Sequence, residues 1–159
     1  MTQSSAQYLW GRRGNTPGFT LIELATAILV IGILSAIAYP NYTSSIQKSR
    51  RGDAIAVLTA ITQAQERYRM SHAAYAGDTE TLNVDVSKIS KHYEIAISGD
   101  AVTGMTNVFR LTATPLSTSP QSNDLRCGQL IVSLIRGQLE YISKDSTGAS
   151  ITTPECWPK

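Results

Sequence analysis

The sequence predicts an α+β fold: one long N-terminal helix packed against an antiparallel sheet of three or four strands. Three observations predict it. Residues 19–39 form an apolar run with a single charge, Glu23. An amphipathic continuation follows to about His72, and short alternating segments bounded by turn residues fill 93–143. With 159 residues and 42% of them hydrophobic, the chain carries core material for one domain of ordinary size.

The apolar run is FTLIELATAILVIGILSAIAY. As a helix, its 21 residues span roughly 31 Å, about one hydrocarbon core. The stretch before it, MTQSSAQYLWGRRGNTPG, has two arginines and no acid, and ends in the breaker Pro17-Gly18. A short basic leader ahead of an apolar helix is an export or anchoring signal. Three readings stand: a cleavable signal with Ala36-Ile37-Ala38 as its site before Tyr39, an uncleaved anchor, or a helix that sits in a membrane and later packs against its own copies. Glu23 weighs against a plain signal, because a carboxylate in lipid costs several kcal/mol. Snorkelling to the headgroups is the bland account of it. Charge bias leaves the orientation open, since Arg12 and Arg13 precede the helix while Lys48, Arg50 and Arg51 follow it.

Beyond Pro40 the pattern stays helical. Ala54, Val57, Leu58, Ile61, Ala64 and Tyr68 recur at spacings of three and four and define one apolar face. Lys48, Arg50, Arg51, Gln63, Glu66, Arg67 and Arg69 are expected on the other. Gly77-Asp78 stops the helix, and 77–92 reads as a connecting loop. Tyr93–Ser98, Val108–Pro115, Gln129–Ile135 and Gln138–Ser143 read as strands, the last two joined by a hairpin turn at Arg136-Gly137. Residues 116–124 and 146–154 read as loops.

The string Gly18-Phe19-Thr20-Leu21-Ile22-Glu23-Leu24 resembles the class III signal of type IV pilins and the related pseudopilins. The resemblance implies cleavage between Gly18 and Phe19 by a membrane prepilin peptidase, which then N-methylates Phe19. It implies that Glu23 pairs with the N-terminal amine of a neighbouring subunit, since two opposite buried charges cost far less together than apart. Gly32 and Pro40 stand where type IVa pilins are similarly interrupted, and the resemblance implies a segment between them that can lose helicity in the filament. Gly is a weak helix former and Pro removes a hydrogen bond; a packing notch and a mild kink are the plainer readings. The expected domains are a leader (1–18), a transmembrane and filament-core helix (19–40), and a periplasmic or extracellular pilin domain (41–159).

Phe109–Pro115, Cys127-Gly128 and Cys156-Trp157 resemble the corresponding parts of PilE-type minor pilins. The implied function is a structural, minor subunit of a type IV pilus serving pilus assembly, twitching motility or adhesion. Its implied partners are other pilin and minor pilin subunits, the peptidase and methyltransferase, the assembly machinery and the inner membrane. A type II secretion pseudopilin, or a plain secreted or anchored binding domain, is the alternative.

Two cysteines, Cys127 and Cys156, lie beyond the apolar run, and an even count in an exported domain favours a disulfide. The net charge of +2 resides in Arg12 and Arg13; the remainder carries 12 basic and 12 acidic residues. A nucleic-acid binder shows a concentrated basic surplus, so no nucleic-acid site is expected. No enzyme is expected either. His72 and His92 lack acidic or Cys partners at metal-ligand spacing, and no phosphate loop or nucleophile turn occurs. Asp78, Glu80 and Asp85 are the one calcium candidate, with solvated loop acids the favoured reading, so no metal or cofactor is assigned. Arg51-Gly52-Asp53, Asn41-Tyr42-Thr43 and Arg12-Arg13 match short motifs whose context does not support them.

Overall fold

The computed structural model describes residues 18–151 and 156–157. The leader and the Ser146–Pro154 segment therefore fall partly or wholly outside the described residues, as does the Arg12-Arg13 pair. Helix α1, Leu21–Arg69, is 49 residues long and carries Pro40 within it. The chain divides into two compact units, Met1–Pro40 and Asn41–Lys159.

In the first unit the side chains from Phe19 to Pro40 are all exposed. Ile22, Leu24, Ile28, Leu29, Ile31, Leu34 and Ile37 each leave more than half of their surface uncovered. A helix apolar on every side needs an apolar medium or like helices around it.

The second unit holds the sheet. Strands β1 (Tyr93–Ser98), β2 (Phe109–Pro115), β3 (Gln129–Ile135), β4 (Gln138–Lys144) and β5 (Ser150–Ile151) pair in sequence order. All four pairings are antiparallel, with Leu111 opposite Val132 and Val132 opposite Tyr141. The sheet has five strands where three or four were expected, because the two-residue β5 falls within a segment read as loop. It is short and pairs only Ser143 with Ile151 and Lys144 with Ser150, too little to leave an alternating pattern. The β3–β4 hairpin turns at Arg136 (φ 53°) and Gly137 (φ 78°). Two consecutive left-handed residues make the tight turn that matches strand twist, and Gly takes the second at no steric cost.

Alternation places Phe109, Leu111 and Ala113 of β2 and Leu130, Val132 and Leu134 of β3 on one face. They meet Ala54, Val57, Leu58 and Ile61 of α1 in a single core that also holds Ile89, Tyr93, Cys127 and Cys156. The predicted stripe is buried except for Tyr68, which is half-buried and stacks on His72 with ring centroids 3.7 Å apart. Gln65, fully buried, clamps the chain after the helix: its amide donates to Ala76 O (2.7 Å) and accepts from Ala76 N (2.8 Å). Arg51 departs from expectation. It is buried instead of lying on the polar face, because Asp124 awaits it there.

Candidate functional site

The N-terminal segment begins with Gly18, around which a Cβ would meet nothing, and Phe19, which is almost fully exposed. Thr20 and Glu23 then close on one another. Thr20 N and Thr20 Oγ1 both donate to Glu23 Oε2 (2.9 and 2.8 Å), and Glu23 N donates to Thr20 Oγ1 at 3.3 Å. This is a capping box, which satisfies otherwise orphaned N–H groups at the helix start. The T-x-x-E spacing is its signal, and Thr20 is a residue to which sequence reasoning gave no role. Among the described residues both bonds land on Oε2, which leaves Oε1 for a further partner. The segment thus has an exposed aromatic residue at Phe19, a capped helix start and a carboxylate four residues on, at Glu23.

The helix continues through Gly32 and Pro40 without a break. A single Gly costs about 1 kcal/mol in a helix interior, and Pro40 brings no backbone N–H to the helix. The apolar part of α1 is long and apolar enough to cross a membrane.

Cys127 and Cys156 are bonded, with Cα atoms 5.7 Å apart. The bond fastens Cys156 to the core, and the adjoining Trp157 meets Tyr141 edge to face at 5.1 Å. Beside it lies a buried charge pair: Arg51 Nε is 3.1 Å from Asp124 Oδ2, and Arg51 Nη1 donates to Cys127 Sγ at 2.7 Å. Gln121 Nε2 donates to the same Asp124 oxygen at 3.0 Å. Burial pushes the Tyr93 phenol far up, and the Asp124 charge adds to this.

Around this turn of α1 the cations collect. Lys48, Arg51 and Arg126 line one groove of about 540 Å³ together with Asp124. On the other flank, Lys88 Nζ pairs with Asp53 Oδ1 at 2.7 Å. His92, whose Nδ1 lies 2.9 Å from Ser119 Oγ, has its pKa lowered by burial and then by the charges of Arg50 and Lys91. Six cations (Lys48, Arg50, Arg51, Lys88, Lys91, Arg126) thus lie on or beside this turn of α1, with Arg51 paired to Asp124 and Lys88 to Asp53. A balanced total does not record this local grouping, which charge arithmetic over the whole chain could not see.

Other candidates resolve locally. Asp78 Oδ1 accepts from Thr81 N (2.6 Å) and Asp85 Oδ1 from Ser87 N (2.8 Å). Thr81 and Ser87 hold the two carboxyls below the usual range. Among the described residues no three metal-capable side chains gather. Arg51-Gly52-Asp53 lies inside α1, its arginine buried and its aspartate paired with Lys88.

Comparison with known proteins agrees with this arrangement. A family profile described as "Type IV minor pilin ComP, DNA uptake sequence receptor" matches residues 40–131, and one described as "Prokaryotic N-terminal methylation motif" matches 13–39. The type IV major pilin protein PilE of Neisseria gonorrhoeae is 31% identical over 93 residues, 57% of this chain and 56% of that protein. The type II secretion system core protein G of Klebsiella michiganensis is 28% identical over 79 residues, 50% of this chain and 56% of that protein. A fimbrial protein of Neisseria meningitidis is 33% identical over 70 residues, 44% and 41% of the respective chains. The chain thus spans about half the length of the relatives it matches. The DNA receptor in the first description runs against the expectation of no nucleic-acid site.

Proposed function

We propose that this chain, which belongs to the family of the type IV minor pilin ComP, DNA uptake sequence receptor, serves as a minor subunit of a type IV pilus. The family is structural, and the chain is not an enzyme. One observation carries the reading: a capped, fully exposed apolar helix whose only charge, Glu23, has one oxygen committed to Thr20 and one remaining. In this account a membrane peptidase cuts after Gly18 and N-methylates Phe19. The new amine of one subunit then meets Glu23 of another as the helix leaves lipid for a bundle of like helices. Lipid and bundle are similarly apolar, so the charge pair supplies register and the assembly machinery supplies the work. In this account the stretch between Gly32 and Pro40, bounded by a weak helix former and a residue without a backbone N–H, melts in the fibre. The domain after Pro40 is periplasmic before assembly and displayed on the fibre afterwards.

The test is Glu23→Ala, followed in membranes and in sheared surface fibres by immunoblot. The account expects processed protein in the membrane and its loss from the fibre fraction, with Glu23→Asp recovering part of it. Normal incorporation of Glu23→Ala would refute it. A secretion pseudopilus, the reading that similarity to core protein G favours, predicts no chain in the sheared fraction even for wild type. The family description also favours DNA capture. Purified full chain should then bind duplex DNA, with affinity falling as salt rises by about 0.9 log unit per log unit for each phosphate contacted. No binding at low salt would dismiss DNA capture and leave the pilus reading intact.

A further inference from the structure

Arg51 serves a second partner besides Asp124. Its Nε lies 3.1 Å from Asp124 Oδ2, while Nη1 donates to Cys127 Sγ. A disulfide sulfur is uncharged and a weak acceptor, so in the bonded chain this donor gains little there. Against a Cys127 thiolate the same contact becomes a charge-assisted hydrogen bond. The contact therefore suits the reduced form of Cys127 better than the oxidised one. The surroundings agree in sign. Lys48, Arg51 and Arg126 line the groove beside Cys127 with one acid, Asp124. Tyr93, in the same core, stays neutral because burial pushes its phenol far up.

The two cysteines are not held alike. Cys127 ends the short helical turn Leu125–Cys127, and its N–H donates to Asp124 O at 3.2 Å. Gly128 then passes within contact of the Asp145 and Ser146 backbone, and β3 starts at Gln129. Backbone alone thus fixes the place of Cys127. Cys156 follows β5, which pairs only two residues. Apart from the bond, its surroundings among the described residues include Trp157 against Tyr141 and a long contact of its Sγ with Arg126 O at 3.8 Å. Both sulfurs are buried once bonded, so the order of attack is decided while the bond is open. Cys156 is then the thiol less restrained, and Cys127 the one already in position.

We propose that Arg51 holds Cys127 as the thiolate that closes the bond, after Cys156 has captured an external disulfide. In the first step the Cys156 thiolate bonds one sulfur of the oxidant and expels the other as a thiolate. In the second, the Cys127 thiolate bonds Cys156 Sγ and expels the remaining oxidant sulfur. The cysteine pair loses two electrons and two protons, and the external disulfide takes up both and leaves as two thiols. Every group involved belongs to the second unit. A cation at this range lowers the pKa of an acid by roughly 1–3 units. Two units raise the thiolate fraction about a hundredfold below the pKa, and a Brønsted slope of about 0.5 returns about tenfold of it, which leaves a net gain of about tenfold.

The test adds glutathione disulfide to the reduced full chain in detergent micelles, quenches with acid at intervals, and locates the adduct by mass spectrometry of the chain and its peptides. Glutathione is expected on Cys156. Conversion of that adduct to the Cys127–Cys156 bond should rise with pH about a midpoint well below about 8.5, the value of an ordinary thiol. Arg51→Met should move the midpoint up toward that value, slow closure at pH 6 by about tenfold, and make the adduct accumulate. Arg51→Lys retains the positive charge and should keep most of the rate. Arg51→Met/Asp124→Leu removes both charges of the buried pair together, which spares the fold, and should still close slowly. Closure of this double variant at the wild-type rate would trace the single variant's defect to the fold alone and overturn the proposal. An adduct on Cys127 would also overturn it. So would a wild-type midpoint at the ordinary thiol value, which is the result expected if the reduced chain, followed by circular dichroism, does not hold its fold.

Discussion

Replacing Arg51 by Met removes the cation of the buried pair while keeping an unbranched apolar stem. Both partners are nearly inaccessible, with side-chain exposures of 10% and 6%. Asp124 would be left as a buried carboxylate held by Gln121 Nε2 at 3.0 Å, with no cation against it. Stranding one member of a buried pair costs about 3–5 kcal/mol. Asp124 also lines the groove of Lys48 and Arg126, so water can reach it, which places Arg51→Met near the lower end, about 3 kcal/mol. At about 4 °C per kcal/mol for a domain of this size, the melting temperature falls by about 12 °C. The matched pair Arg51→Met/Asp124→Leu removes both charges and should recover most of the loss. The assay is equilibrium denaturation of the oxidised full chain in detergent micelles, followed by near-ultraviolet circular dichroism. A loss below about 1 kcal/mol for the single variant, or no recovery in the double variant, would refute the claim that the pair is a buried, coupled unit.

Three further outcomes follow from named contacts. Cys156→Ser opens a bond between residues 29 apart, worth roughly 3.6 kcal/mol in the chain-entropy model, and the denaturation midpoint should fall accordingly. His92 has a folded-state pKa below its ordinary value, so the folded state binds fewer protons than the unfolded one as pH drops below about 6.5. Wild-type stability is therefore full above that pH and is lost as pH falls through the lowered pKa, whereas His92→Gln should flatten this slope in urea titrations across the same range. At Gly128 a Cβ would lie 2.8 Å from the Asp145 carbonyl carbon and 2.9 Å from Ser146 N. Those are backbone atoms that cannot rotate away, so Gly128→Ala should cost about 1–3 kcal/mol by the same denaturation assay.

The elements with strong periodicity were legible in the residues. The stripe from Ala54 to Ala64 faces the core, and β1 to β4 lie within a residue of where alternation puts them. Local composition also placed the Arg136-Gly137 hairpin and the Cys127–Cys156 bond. What remained hidden depends on partners distant in sequence. Arg51 sits at a helical position like its charged neighbours, and only Asp124, 73 residues away, makes it a buried residue. Gln65 is a core residue because the chain returns to it at Ala76. Strand β5 is too short to show a period. Total charge, being a sum, could not show that the fold gathers cations from α1, the 88–91 loop and Arg126 at one turn of the helix. The Thr20–Glu23 box was within reach of local reasoning, since its T-x-x-E spacing needs no tertiary information.

The central claim, a pilin subunit matured for assembly through its N-terminal helix, is tested most directly at the N-terminus of the protein purified from membranes. Mass spectrometry of the intact chain and of its first peptide reads the cleavage site, the methyl group and the disulfide at once. The account predicts a chain that begins at N-methylated Phe19 and is two hydrogens lighter than the reduced form. A chain beginning at Tyr39, or one still carrying Met1, would contradict it and return the protein to a plain exported or anchored domain.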